Sequence, residues 1–234
     1  QHLYLRESDR RRAGGSRSSA LAAALEALEE SARYDAQRRA FNTNKNRAFN
    51  LDESDLIALS AVRLGKVPLV VQVDRAADII KVVTAFGAYP RLRLILAGAT
   101  EAWKVAPLLN VENIPVLINV MENLPQNFDR LGARLDQATL LADAGVRFAF
   151  FSGSPYSETR SLSQAAGIAV AQGLSWQQAI TAITAGPAEI WGLKGLGRIE
   201  VGAIADLVIW DGDPLEVTSA PVTVLIDGAR VDLE

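Results

Sequence analysis

A chain of 234 residues, 49% apolar and 22% charged, is long and hydrophobic enough to bury a core, which excludes a wholly disordered protein. Its net charge of −3, without long blocks of like charge, excludes an electrostatic surface for nucleic acid. Cysteine is absent, so disulfides and thiolate metal sites are excluded, and no apolar run reaches the ~18 residues of a membrane span. We expect a soluble protein, whose composition fits cytoplasm and periplasm equally.

Residues 1–50 predict a helical segment followed by a polar linker. Leu21, Leu25 and Leu28 recur at helical spacing, and a serine just before them can cap the first turn. Residues 42–50 are mostly polar and interrupt the apolar pattern. This amino-terminal segment is therefore expected to precede the main domain rather than to belong to its repeating part.

Residues 51–192 repeat a unit in which an apolar run is followed by an amphipathic helix. The runs lie at 67–73, 92–97, 115–120 and 147–152, and helices are predicted at 76–86, 100–109 and 134–144. Continuous apolar runs are typical of parallel strands covered on both faces by crossover helices. We predict an α/β fold, the carboxyl-terminal half of a (β/α)8 TIM-like barrel with about four parallel strands. Asp74 is expected to cap the first of these helices.

The last part of the chain predicts two short helices and a small sheet. Ser175 and Gln178 have the spacing of a capping box, and Pro187 is placed to start a second short helix. In the segment 193–234, strands are predicted at 198–201, 206–210 and 222–227, separated by turns that contain Gly and Asp. This segment is expected to form a carboxyl-terminal β part beside the barrel.

Four parallel strands leave two open edges, whose backbone N–H and C=O groups need partners. We expect either a homo-oligomer, in which a second copy completes eight strands, or a complementary N-terminal half chain. A small-molecule ligand is compatible with the composition, whereas nucleic acid and membranes are not expected partners.

The carboxyl-terminal segment carries a long motif. Residues 192–216 read GLKGLGRIEVGAIADLVIWDGDPLE, and residues 224–228 read VLIDG. Together they resemble the carboxyl-terminal signature of the amidohydrolase superfamily, which follows an NPA-like turn, here Gly186-Pro187-Ala188. The resemblance implies a metal-dependent hydrolase barrel whose last strands join a small composite β-sandwich.

The resemblance extends upstream, to the imidazolonepropionase-like branch. Residues 68–79 (PLVVQVDRAADI) resemble its fifth barrel strand, and residues 96–103 (LAGATEAW) resemble its sixth. The stretches NLP at 123–125, FDRLGAR at 128–134 and ADAGV at 142–146 continue it toward the eighth strand. The match covers nearly the whole chain, so the family's first half, with its His-x-His pair, is expected to lie outside it.

The resemblance implies hydrolysis of C–N bonds, in non-peptide or cyclic amides, with Zn or another divalent metal at the strand ends. Where the family carries a His after the fifth strand, this chain has Gln72, and Ser154 stands at the family's catalytic Asp position. A neutral amide is a weak zinc ligand, and Ser is not a general base near neutral pH. The only histidine, His2, precedes the predicted barrel strands. No metal site and no confident catalytic residue are therefore predicted in this chain.

Several polar residues follow the predicted strands and are candidates for lining a pocket. They are Gln72, Asp74, Arg75, Glu101, Ser152, Ser154 and Glu158. Asp74 and Arg75 match the family, but a helix cap with an ion pair is the favoured explanation of both. Glu101 and Glu158 stand where a helix amino terminus favours negative charge, which is a sufficient structural role.

The sequence therefore predicts an amidohydrolase-like protein with a degenerate active site that is inactive by itself. Two alternatives stay open. The first is a non-catalytic homologue that binds a ligand in a metal-free pocket, and the second is a scaffolding subunit that completes a split barrel with a separate N-terminal half. Enzymatic activity is implied by the resemblance and not by any catalytic group in the chain.

Overall fold

The computed structural model describes residues 1–6, 15–41, 49–152 and 161–232. The chain divides into two compact units, Gln1–Ala99 and Thr100–Glu234. Within the described residues, no helix is long and apolar enough to cross a membrane.

The described residues of the first unit form a parallel sheet of three strands and three α-helices. Its elements are β1 (His2–Tyr4), α1 (Arg17–Phe41), α2 (Glu53–Arg63), β2 (Leu69–Val73), α3 (Ala76–Phe86) and β3 (Leu94–Gly98). Strand β2 is central, with β1 parallel to it on one side and β3 parallel on the other. The carboxyl ends of the three strands therefore lie along one edge of the sheet.

Helix α3 has the bounds that its sequence pattern predicts. Its buried face consists of apolar residues spaced by three or four, Ile79, Val82, Val83 and Phe86. The N-cap residue is Arg75, whose side chain makes no cap hydrogen bond. The prediction that Asp74 is the N-cap residue is therefore wrong, because Asp74 lies one residue before the N-cap and its carboxylate forms an ion pair with Arg6.

Strand β1 was not predicted, and it corrects the position assigned to His2. His2 is the first residue of β1 and is in register with Val70 of β2. The pairing is extended by hydrogen bonds from Val70 N–H to Gln1 O and from Leu5 N–H to Gln72 O, at 2.9 and 2.8 Å. A strand of three residues carries too little alternation to be recognised from sequence.

The second unit combines a parallel pair of strands, several helices and a separate antiparallel sheet. Its strands are β4 (Val116–Ile118), β5 (Phe148–Phe150), β6 (Leu207–Trp210), β7 (Pro221–Ile226) and β8 (Ala229–Val231). Its α-helices are α4 (Ala106–Val111), α5 (Gln137–Asp143), α6 (Leu162–Ala171), α7 (Trp176–Ile183) and α8 (Ala185–Trp191), with 3-10 helices at Ala102–Val105, Val120–Glu122 and Phe128–Arg130. Strands β4 and β5 are parallel, and Val116 of β4 is in register with Phe148 of β5.

The capping box predicted for α7 is confirmed. Ser175 Oγ accepts a hydrogen bond from Gln178 N–H at 3.2 Å, and the Gln178 side chain accepts one from Ser175 N–H at 3.1 Å. Helix α8 contains Pro187 in its first turn and ends at Gly192, whose φ of +75° is the left-handed conformation typical of a helix end.

The carboxyl-terminal sheet is antiparallel, in the order β6-β7-β8. The predicted strand at 198–201 is wrong, because these residues form bends and turns outside the sheet. Ile199 is 90% exposed there, so its apolar side chain packs against little of the part of the chain that the structure describes. The other two predicted strands correspond to β6 and β7, and the hairpin of β7 and β8 turns at Asp227 and Gly228.

The predicted fold class is confirmed. The four predicted parallel strands are β2 to β5, and β1 adds a fifth. Helical structure follows each of β2, β3, β4 and β5 before the next strand begins. A small antiparallel sheet follows at the carboxyl-terminal end.

Candidate functional site

Charged residues follow two neighbouring strands of the first unit. Arg6 lies two residues beyond β1, and Asp74 directly follows β2. Because β1 and β2 are parallel, their carboxyl ends meet at the same edge. In α/β barrels that edge carries the binding and catalytic residues. This edge of the first unit is therefore the candidate site.

Arg6 and Asp74 form an ion pair at this edge. Arg6 Nε lies 3.0 Å from Asp74 Oδ2, and the two side chains are 19% and 1% exposed. The Nε–H group has no hydrogen-bond partner of good geometry among the described residues, so charge holds the contact. Burial of an isolated charge removes its hydration, at a cost of roughly several kcal/mol. A carboxylate that is buried this deeply therefore needs a positive neighbour. Arg6 provides such a positive neighbour for Asp74.

Gly98, the last residue of β3, makes room for that pair. Its φ is +78°, a conformation that L side chains rarely adopt. A Cβ at this position would overlap Arg6 Nη2 and lie 2.8 Å from Asp74 Oδ1. The absence of a side chain at Gly98 therefore allows Arg6 to reach across the strand ends to Asp74.

Gln72 lies two residues before Asp74, one layer of side chains closer to the amino-terminal end of β2 than the Arg6–Asp74 pair. Side chains two residues apart on a strand share a face, so Gln72 and Asp74 are on the same side of β2. Gln72 is in register with Tyr4 on β1 and with Ala97 on β3, and it is half-buried. Its neighbours therefore supply a phenol and a methyl group, and Ala97 offers no metal ligand.

His2 lies on the same face of β1 as Tyr4, at the amino-terminal end of the strand. It is four positions before Arg6, which is about 13 Å along an extended strand. Partial burial, and then the charge of the amino terminus, lower the pKa of His2 below its usual 6.5. Its ring stacks on Tyr4 at a centroid distance of 6.2 Å. His2 is thus a neutral strand residue near pH 7 and lies away from the strand carboxyl ends.

In the second unit, two buried asparagines follow β4. Asn119 and Asn123 are 8% and 5% exposed, and the Nδ2 atom of each has no hydrogen-bond partner among the described residues. Asn119 Oδ1 accepts a hydrogen bond from Met121 N–H at 3.1 Å, which fixes the orientation of its amide. Sequence reasoning did not select either residue as a site, although a polar residue directly after an apolar strand was a usable signal for Asn119.

Glu101 belongs to a contact that fastens the loop after β4. Its Oε1 accepts from Lys104 Nζ at 2.5 Å, and a Cβ on Gly132 would lie 2.7 Å from its Cγ. Trp103 donates from Nε1 to Gly132 O at 3.0 Å, and the Arg134 guanidinium lies 4.9 Å from the Trp103 ring centroid. These contacts give Glu101 a structural position beside the loop.

The remaining predicted residues fall near the end of β5. Ser152 lies two residues beyond β5 and is half-buried. Ser154 and Glu158 lie outside the described residues. Their assignment to a pocket stays a prediction.

The sequence of the second unit matches a known family. Residues 136–232 match the sequence model of the amidohydrolase family. A stretch of 90 residues is also 37% identical to Amidohydrolase tasK of Hapsidospora irregularis and covers 38% of this chain and 9% of that protein. Residues 136–232, less than half of the chain, are thus similar to the amidohydrolase family. The resemblance to that superfamily, predicted from the terminal motif, is thereby confirmed.

Several solved structures share the fold. An amidohydrolase from Thermotoga maritima MSB8 superposes with a TM-score of 0.87 at 22% identity, over 100% of this chain and 62% of its own. A prolidase solved with n-methylphosphonate-L-proline gives a TM-score of 0.58 at 22% identity, over 78% and 50% of the two chains. The beta-aspartyl dipeptidase of Fervidobacterium islandicum AW-1 gives 0.52 at 13% identity, over 77% and 53%. The chain thus spans between about half and three fifths of these structures.

The metal that an amidohydrolase barrel implies does not fit the donors of the described residues. No group of three or more His, Asp or Glu side chains comes together anywhere in that part of the chain. At the strand ends of the first unit, the one buried carboxylate already faces the Arg6 guanidinium. Gln72 offers a neutral amide, which divalent transition metals bind weakly. No catalytic step is therefore assigned to a metal on these residues.

The sequence-predicted site residues separate into two groups. Gln72, Asp74 and Arg75 lie together at the end of β2 in the first unit. Glu101 and Ser152 lie in the second unit, after β3 and β5 in chain order. Arg6, which holds Asp74, was not predicted as a site residue.

Proposed function

We propose that this chain is the carboxyl-terminal part of an amidohydrolase-type barrel that does not hydrolyse amides by itself. Hydrolysis of C–N bonds in non-peptide or cyclic amides is its inherited reaction. The observation that supports the proposal is the Arg6–Asp74 pair, because a guanidinium neutralises the strand-end carboxylate. A divalent cation at Asp74 would meet that positive charge at close range and would have to displace it.

Catalysis would then need groups from elsewhere. A divalent metal lowers the pKa of bound water and polarises the scissile carbonyl when it is held by His and carboxylate ligands. The chain spans 62% of the Thermotoga amidohydrolase, so more than a third of that structure has no counterpart here. A complementary N-terminal half is the proposed source of the missing ligands, and a second copy of this chain is the alternative partner.

The choice of test substrates follows from two of the similar structures. One is a prolidase solved with a phosphonate analogue of L-proline, and the other is a dipeptidase solved with beta-Asp-Leu. N-acyl-L-proline and beta-aspartyl dipeptides, together with a cyclic amide such as an imidazolone, therefore form the substrate panel.

The experiment compares the chain alone with the chain plus an N-terminal half barrel that carries His-x-His. The purified chain is dialysed against Zn²⁺ or Mn²⁺, its metal content is measured, and hydrolysis of the panel is followed. For the chain alone, the expected result is less than one metal ion per chain and no turnover. In the mixture, we expect stoichiometric metal binding and turnover. A stoichiometric, tightly held metal on the chain alone, with turnover, would overturn the proposal.

A metal-free ligand-binding homologue is the second candidate function. It is favoured by the partial exposure of Arg6, whose side chain is 19% exposed and whose guanidinium has five N–H donors, of which one carboxylate can engage only some. A cation with spare donors at strand ends is suited to a carboxylate or carbonyl oxygen. Binding of the uncleaved panel compounds in the presence of a chelator would support this candidate, and binding that requires added metal would contradict it.

A further inference from the structure

A cavity lies at the opposite end of β5 from the strand carboxyl ends. It has a volume of about 280 Å³ and lies wholly within the second unit, between α5, the residues that lead into β5, α7 and α8. Phe148, Ala182 and Ile190 provide apolar walls, and Arg147 and Gln178 provide polar ones. Its size is near the lower end of pockets that hold small molecules, about 300 Å³. The proposed function does not use this cavity.

Arg147 is held in a fixed position at the cavity. Its Nε donates to Asn113 Oδ1 at 3.1 Å, and its Nη2 donates to Asn113 O at 3.0 Å. Both acceptors are neutral, and no ion pair of Arg147 occurs among the described residues. The side chain therefore keeps a full positive charge, and Nη1 and the second hydrogen of Nη2 remain as donors.

Gln178 presents a second donor with a fixed orientation. Its Oε1 accepts from Ser175 N–H at 3.1 Å and contacts Ser175 Oγ at 2.7 Å, both within the capping box of α7. Because Oε1 is turned toward Ser175, the amide group Nε2 is directed away from that residue with two N–H donors. The cap thus determines which end of the Gln178 amide is available to a ligand.

The acidic residue of the lining does not cancel the charge of Arg147. Glu189 lines the cavity, but its carboxylate forms an ion pair with Arg198. Glu189 and Arg198 offset each other, so the charge of Arg147 remains. The cavity therefore combines apolar walls, one positive charge and amide N–H donors.

We propose that this cavity is a binding site for a small organic acid with an apolar body, such as an arylalkanoate. The carboxylate accepts hydrogen bonds from Arg147 and Gln178, and the apolar body packs on Phe148, Ala182 and Ile190. Charge-assisted hydrogen bonds of this kind are about twice as strong as neutral ones. The site is therefore expected to distinguish a carboxylate from a neutral compound of the same shape.

The test uses the full chain and two probes, 3-phenylpropionate and 3-phenylpropionamide. Binding is measured by titration calorimetry, and the Gln178 side-chain amide is followed by ¹⁵N NMR. The acid is expected to bind about tenfold more tightly than the amide, which corresponds to about 1.4 kcal/mol. The Gln178 amide resonance is expected to shift on addition of the acid.

Two variants of the lining and one control variant locate the effect at the cavity. Gln178→Glu retains an oxygen for the capping box but replaces the Nε2 donors with a negative charge, so affinity for the acid should fall about tenfold or more. Gln126→Glu, on the exposed loop after β4, makes the same charge change outside the lining and should leave affinity unchanged. Arg147→Met should abolish the preference for the acid over the amide, with retention of the fold checked by the unfolding temperature.

The proposal is overturned by any of three results. The first is equal affinity for acid and amide, the second is binding of neither probe, and the third is unchanged acid binding in the folded Gln178→Glu variant. None of these measurements depends on metal or on turnover, so the outcome is independent of the hydrolase proposal.

Discussion

Arg6 and Arg147 stand in opposite electrostatic situations. Arg6 follows a strand carboxyl end and faces a carboxylate that is 1% exposed. Arg147 precedes a strand and, within the part of the chain that the structure describes, hydrogen-bonds only to neutral groups of Asn113. In the first case the positive charge compensates a buried group of the protein itself. In the second it remains available to a ligand. The surroundings of an arginine, and not its presence, decide whether it supports the fold or recognition.

The largest expected effect comes from breaking the buried pair. Arg6→Met removes a cation that faces the buried Asp74 carboxylate, so the free energy of unfolding should fall by about 3 to 5 kcal/mol. Urea denaturation measures this change. The double variant Arg6→Met, Asp74→Leu should recover most of the loss, because it removes both charges.

Arg147→Met is the matched control for that experiment. It removes two hydrogen bonds to neutral acceptors at an exposed position, so the free energy of unfolding should change by about 1 kcal/mol or less. Equal losses for the variants of Arg6 and Arg147 would contradict the contrast between the two arginines.

Gly98→Ala should give the next largest effect. The substitution combines an unfavourable positive φ with overlap on the Arg6 guanidinium, and we expect a loss of about 2 kcal/mol or more. Gly202→Ala is the control, since Gly202 has a φ of +87° but nothing within 4 Å of an added Cβ. Thermal and urea unfolding of both variants separate the overlap from the backbone strain, and similar losses would show that Gly98 is not needed for the pair.

Ser175→Ala tests the element that orients Gln178. The variant removes the capping-box hydroxyl of α7, so the free energy of unfolding should fall by about 1 kcal/mol. The Gln178 amide should then lose its fixed orientation, which ¹⁵N NMR detects as a changed side-chain resonance. Unaltered stability and an unaltered resonance would show that the cap does not hold Gln178.

The smallest effect concerns His2. Its pKa is lowered by burial in the folded chain, so its contribution to stability is fully present above the unfolded pKa of about 6.5 and is lost as pH falls through the folded pKa. An NMR titration should place the imidazole pKa below 6.5. His2→Gln should reduce the drop in stability on acidification, and a titration at or above 6.5 would contradict this assignment.

Local sequence patterns predicted much of the fold. The three- and four-residue spacing of apolar residues predicted the bounds of α3, and the Ser175–Gln178 spacing predicted the capping box. Strand β1 was missed because three residues hold no clear period, and 198–201 was overpredicted because an apolar alternation does not reveal whether a partner surface exists. Burial in a strand or turn depends on contacts that are distant in sequence.

The candidate site was predicted less completely, for the same reason. Asp74 was correctly placed at a strand end, but its partner Arg6 is far from it in sequence and could not be inferred from spacing. The contact of Glu101 with Lys104 is local, whereas its contact with Gly132 depends on the loop after β4. Arg147 likewise meets a neutral hydrogen-bond acceptor because it contacts Asn113, which lies 34 residues earlier in the sequence.

The arrangement of Gly98, Arg6 and Asp74 has an evolutionary consequence. The buried Asp74 carboxylate faces the Arg6 guanidinium, and a side chain at position 98 would collide with that guanidinium. Replacement of any one of the three residues therefore disturbs the other two. Positions 6, 74 and 98 are accordingly expected to change together, rather than one at a time, among related sequences.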